Sequence, residues 1–312
     1  MPRIPLRDGQ SMHVHTIGRG PTVVLVHGFA MHGAMWLPSV LPLAAKYRFV
    51  LPDLRGFGRS RRVPHTRADV VETFADDLED LLAALGEPKV YLGGLSMGAL
   101  TSVAFASRGG FERVVGYAHV DQAARIHNGD GYDAGLFGAG QGARFGELEV
   151  LRARIAPYRD HPYDTLPAEL REAVLDTFAR FFHDAFHVPW LKRATHAVRD
   201  PRVAKLVLST DPWAPYFDCL GAYLDVRHDY EAGFREAHTK HPVPLTFMIG
   251  AKSTMYPPHG QRALAESIRR VSPRPDQVRV VELDAGHAIP VEAPVAFVRA
   301  LDRAISEAFS GA

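Results

Sequence analysis

The sequence predicts an α/β fold: a mostly parallel sheet interrupted by a long helical insertion. Three observations carry that expectation. Short β-branched runs alternate with helix-period segments over the first 120 residues, the alternation returns after residue 242, and the stretch between lacks strand patterning.

Each element follows in order. Asp8-Gly9 marks a turn between two short strands, and residues 22–27 (TVVLVH) form a continuous apolar run suited to a strand buried on both faces. Residues 47–52 (YRFVLP) predict the next strand. Residues 69–85 predict an amphipathic helix with Val70, Val71, Phe74, Leu78, Leu81, Leu82 and Leu85 on one face, ended by Gly86. Residues 89–92 (KVYL) lead into a sharp turn expected at Gly93-Gly94, then a helix over 97–107 and a strand over 113–120. The next core strand comes only at 243–249 (VPLTFMI), followed by a helix near 260–270, a strand over 278–283 and a closing helix from 291 to about 308. Residues 1–121 and 242–312 are therefore expected to form the core, and 122–241 a helical cap. The clearest cap helix starts near Pro167 and carries Leu170, Val174, Phe178, Phe181, Phe182 and Phe186, a stripe expected to be mainly core, with a minority facing a ligand.

Composition narrows the function classes. Of the 312 residues, 46% are hydrophobic and 23% charged, as in an ordinary globular protein, and the net charge of +1 with dispersed Lys and Arg disfavours nucleic acid as a partner. Residues 1–10 are polar, without the apolar run of a signal peptide or a bilayer span, so a cytoplasmic protein with no membrane partner is expected. Cys219 is the only cysteine, which excludes an intramolecular disulfide and a thiol-rich metal site; it is expected to be a buried structural thiol, and no cofactor or metal is expected.

Chemistry enters at three motifs. Gly94-Leu95-Ser96-Met97-Gly98 follows a strand and opens a helix, the setting in which a strained turn lifts a serine hydroxyl out of a sheet as a nucleophile. His27-Gly28-Phe29-Ala30 follows the buried strand at 22–27, where the N–H groups of Phe29 and Met97 can converge on a developing oxyanion; His27 itself is expected to hold the loop. Ala285-Gly286-His287 follows the last strand and supplies a base for Ser96.

Together with Asp53-Leu54-Arg55-Gly56-Phe57-Gly58-Arg59-Ser60, these motifs resemble the α/β-hydrolase superfamily over both core blocks. The resemblance implies an eight-stranded, mostly parallel sheet with helices on both faces. It also exposes a departure. Most members carry the triad acid after the strand at 243–249, where this chain has Gly250-Ala251-Lys252-Ser253-Thr254-Met255-Tyr256-Pro257, with Ser253 at the acid's place. Asp121, at the end of the strand over 113–120, is the preferred alternative, a relocation similar to that of haloalkane dehalogenases; Asp284 competes, and Asp53 is expected to be structural. Dehalogenases and epoxide hydrolases of this fold attack with aspartate, so serine at position 96 disfavours halides and epoxides.

A Ser96–His287–Asp121 site implies acyl transfer to water. The expected lining is apolar: Phe29, Trp36, Met97, Tyr132, Phe137 and Ile289 with cap phenylalanines such as Phe182, although Trp36 suits the core equally. A small to medium apolar carboxylic ester is the favoured substrate. A lactone, thioester or amide hydrolase, a perhydrolase using the same triad, and a non-catalytic binding protein of this fold are the alternatives.

Overall fold

The computed structural model describes residues 3–129, 131–200, 202–204 and 213–311, so part of the expected cap (201 and 205–212) and the start of the N-terminal decapeptide lie outside the described residues. The strands are β1 (Arg3–Pro5), β2 (Ser11–Gly18), β3 (Thr22–Val26), β4 (Arg48–Pro52), β5 (Val90–Leu95), β6 (Val114–Val120), β7 (Leu245–Gly250) and β8 (Val278–Leu283). They form one eight-stranded sheet in the order β1-β2-β4-β3-β5-β6-β7-β8. The β1–β2 hairpin and the β2–β4 pair are antiparallel, and every other pairing is parallel.

The sheet is buried on both faces because its side chains alternate. Val24, Val26 and Val50 join one core, whereas Val23, Leu25, Phe49 and Leu51, one residue out of step, join the other. The first core takes Phe74, Leu78 and Leu81 of α1 (Val70–Leu85) and Leu100 and Val103 of α2 (Met97–Ser107). Asp69 caps α1 by accepting from Val71 N at 3.1 Å and Glu72 N at 3.3 Å, and Gly86 closes it at φ 67°. Each such buried aliphatic or aromatic side chain contributes roughly 1.5–3 kcal/mol.

Between β6 and β7 run α3 (Gln141–Ile155), α4 (Ala168–Ala185), α5 (Ala214–Asp225) and α6 (Glu231–Lys240). After β7 come α7 (Pro258–Val271) and, last in the chain, α8 (Pro294–Ser310), whose Phe297, Leu301 and Ile305 fill the second core.

Three boundaries differ from expectation. β5 runs through Gly93-Gly94 to Leu95, because β3 and β6 hold those glycines extended on either side, and the turn falls at Ser96. The closing helix splits into Ile289–Glu292 and α8, since Pro294 has no N–H to continue it. β7 begins at Leu245, after Pro244 has spent its carbonyl on Tyr117 N at 2.9 Å. No helix among the described residues is long and apolar enough to cross a membrane.

Candidate active site

Ser96 ends β5 and opens α2 with φ 53° and ψ −124°, a backbone conformation that costs energy for any residue but glycine. The turn closes because its flanks are bare. A Cβ on Gly94 would collide with the Gly98 carbonyl, and one on Gly98 with that of Val26. Ser96 is 7% exposed and forms part of a cavity wall. Its hydroxyl makes no hydrogen bond among the described residues, and such bonds often form only with substrate in place.

One strand later in sequence order, Asp121 directly follows β6, also at positive φ (42°) and fully buried. Its carboxylate has four donors. Oδ1 accepts from Gly250 N at 2.8 Å and Gln261 Nε2 at 3.0 Å. Oδ2 accepts from Ser253 Oγ at 2.6 Å and from His287 Nδ1 at 2.7 Å. Since a carboxylate only accepts, Nδ1 carries the proton and Nε2 is left as the lone-pair nitrogen, the tautomer a general base requires. Asp284, by contrast, is 81% exposed at the side chain and pairs with Lys252 at 2.5 Å.

The carboxyl edge of a parallel sheet thus gathers a strained serine and a carboxylate-backed imidazole. A family model described as alpha/beta hydrolase fold matches residues 21–294. The chain belongs to the α/β-hydrolase fold family. Among curated relatives, Epoxide hydrolase 2 from Siraitia grosvenorii is 38% identical over 94 residues, 30% of each chain. The 3-oxoadipate enol-lactonase 1 of Acinetobacter baylyi is 30% identical over 130 residues, 41% of this chain and 47% of its own. The matched stretches cover less than half the length of these relatives. A solved thermophilic esterase from Thermogutta terrifontis aligns over 98% of both chains with a TM-score of 0.70 at 24% identity, a likeness of fold.

In this α/β-hydrolase fold chain the loop after β3 lies against the turn at Ser96: a Cβ on Gly28 would be 3.3 Å from that of Ser96. Phe29 N–H bonds to no described residue, and Met97, first in α2, has an N–H without an intrahelical partner. His27 is fully buried and fixes the loop, with Nδ1 donating to Gly28 O at 2.8 Å and Nε2 accepting from Leu54 N at 3.1 Å. Burial brings its pKa down to about 4. Asp53 ties two loops, accepting from Gly33 N at 2.7 Å and Arg59 N at 2.8 Å.

The cavity beside Ser96 encloses about 1000 Å³ of empty space, counting its open mouth. Phe29 and Phe137 line it, with Phe178 and Phe181 of α4, Trp213, and Tyr216 of α5. Arg144 is the one charged side chain in its wall among the described residues, and it is spent on Asp184 at 2.6 Å and on the Phe137 ring, 5.1 Å from the centroid. Five expected contacts fall elsewhere. Trp36 stacks on Phe297 and Ile289 is fully buried, both in the second core, because the backbone there turns their side chains beneath the sheet edge. Met97 packs into the first core, leaving only its N–H for the site. Tyr132 stands under Arg125 and donates to Ala134 O, and Phe182 packs behind Phe178 with ring centroids 6.3 Å apart. Cys219 is buried in the cavity wall, its thiol pKa pushed up by desolvation.

Two residues of this neighbourhood have no sequence motif to announce them, Gln261 beside Asp121 and Glu292, while Gly250 and Ser253 stand in the segment where most family members carry the acid and here donate to Asp121 instead. Glu292 Oε1 accepts from His187 N and Val188 N, just after α4, at 2.5 and 2.6 Å. Its Oε2 accepts from Gly286 N, beside His287, at 2.6 Å.

Proposed function

We propose that this chain is a serine hydrolase cleaving small to medium apolar carboxylic esters through an acyl-enzyme. The observation that carries the reading is the 2.7 Å bond from His287 Nδ1 to the buried Asp121 carboxylate, on the same sheet edge as the strained Ser96. Ser96 Oγ attacks the acyl carbon while His287 Nε2 takes its proton, and the N–H groups of Phe29 and Met97 receive the oxyanion. His287 returns the proton to the leaving alcohol. Water then repeats the attack on the acyl-enzyme and releases the acid. Asp121 holds the tautomer and stabilises the transient imidazolium. In this reading the described helices between β6 and β7 form a cap over the site, and its aromatic wall, with Arg144 already neutralised, suits an uncharged acyl group.

The enol-lactonase and esterase relatives support ester-type chemistry, the lactone being the same bond closed in a ring. Serine at 96 separates the chain from aspartate-dependent epoxide opening.

The test combines a fluorophosphonate, read by peptide mass, with a p-nitrophenyl ester series of rising acyl length. A single adduct on Ser96 with hydrolysis of short and medium esters is expected. A folded protein with neither adduct nor turnover would leave a non-catalytic binding protein as the better reading.

A further inference from the structure

Away from the Ser96 cavity, β2 carries His13 and His15. Residues two apart on a strand face the same side. The antiparallel register Val14↔Pro52 sets Asp53, one residue beyond β4, opposite His13, and the ladder is continued by Asp53 N donating to His13 O at 2.9 Å. The imidazole rings meet edge to face with centroids 4.6 Å apart. One donor atom from each of His13, His15 and Asp53 lies within 4.8 Å of the other two. Nε2 of His13 is buried without a hydrogen bond and His13 as a whole is 3% exposed, whereas the buried Nε2 of His15 has Asp53 Oδ1 at 3.3 Å. An imidazole nitrogen denied both water and a protein partner costs free energy, so the arrangement calls for an occupant.

We propose that His13, His15 and Asp53 bind one divalent transition-metal cation of the zinc class. Four-coordinate zinc with bonds of about 2.0–2.1 Å separates its ligand atoms by roughly 3.3–3.5 Å. His15 Nε2 and Asp53 Oδ1 already stand 3.3 Å apart, and His13 offers a nitrogen within 4.8 Å of the other two ligand atoms. Asp53 is aimed by Gly33 N on Oδ1 and Arg59 N on Oδ2, the outer-shell support that metal carboxylates need. Two imidazoles with one carboxylate suit zinc, cobalt or nickel, and not magnesium or calcium, which prefer all-oxygen shells. Bound there, the ion staples the antiparallel edge of the sheet to the end of β4. This site stands independently of the ester-hydrolase reading.

The test starts from chelator-stripped, full-length protein titrated with Zn²⁺ in a calorimeter, with melting temperature recorded with and without the metal. One Zn²⁺ per chain and a higher melting temperature are expected. His13→Gln and His15→Gln should each weaken binding by at least about tenfold and remove the rise. His196→Ala, which breaks up an exposed histidine pair with His183 whose rings are 6.4 Å apart, should leave both unchanged. No binding by the unmutated protein, undiminished binding in the two glutamine variants, or loss in His196→Ala each overturns the proposal. Should buried His13→Gln fail to fold, Cu²⁺ in the His196→Ala protein is read by electron paramagnetic resonance. Two coordinated imidazole nitrogens are then expected, and one or none overturns it.

Discussion

The carboxyl edge of the sheet and the helical insertion above it treat polarity in opposite ways. At the edge, Asp121 is fully buried and every lone-pair direction is met by a donor of fixed position. In the insertion, charges stand outward in exposed pairs such as Arg180–Glu147 and Arg199–Asp176, which add little stability, while the inner wall is aromatic. There Phe29 stacks on Phe178 at 6.1 Å and Phe178 meets Tyr216 edge-on at 5.2 Å. A proton transfer needs a geometry held to a fraction of an ångström, which buried hydrogen bonds on a rigid sheet supply. An apolar acyl group needs only a surface that repacks.

The comparison breaks or sharpens at five points. Ser96→Ala should abolish the fluorophosphonate adduct and cut kcat by a factor on the order of 10⁶. Asp121→Asn should lower kcat about 10⁴-fold with KM nearly unchanged, because the imidazole is then held in the wrong tautomer, while exposed Asp284→Asn should have no effect. The reverse pattern would move the acid off the buried edge. Ser253→Ala removes one donor from Asp121 and should reduce kcat roughly tenfold without changing KM, as fits one bond to a charged group. A change confined to KM would place Ser253 in substrate binding instead. Phe178→Ala, in the soft region, should spare kcat for an acetyl ester yet shift the preference between acetyl and medium-chain esters by about tenfold, measured as kcat/KM ratios.

The smallest effect concerns acid. Burial lowers the pKa values of His27, His119 and His238 to about 4 from 6.5. Between those values the unfolded chain binds more protons than the folded one, so this stabilisation is complete above about pH 6.5 and is lost progressively toward pH 4. Melting temperatures recorded across that window should decline on acidification. A flat profile would mean that these imidazoles are hydrated in the native state.

The sheet was largely legible in the sequence, and the insertion was not, for a related reason. β3 is buried at every position and α1 is capped by Asp69 and Gly86, so pattern and local chemistry agree there. Ser96, Asp121 and His287 each sit at a strand end that the alternation of runs predicts. The sequence marks Ser253 only as the residue in the acid's usual place and does not mark Gln261, because a hydroxyl and an amide gain meaning only from a carboxylate more than a hundred residues away. The α4 stripe shows an apolar face but not which phenylalanines look into a cavity; Phe178 and Phe181 do, and Phe182 packs behind them. Trp36 and Ile289 went to the second core because short helical turns leave too few residues to reveal a face.

Glu292 joins the two regions, one oxygen on the chain leaving α4 and the other on the turn before His287. The insertion is therefore tied, through one side chain, to the turn that carries His287. A single substitution at Glu292 would thus leave three backbone N–H groups without their acceptor, on both segments at once.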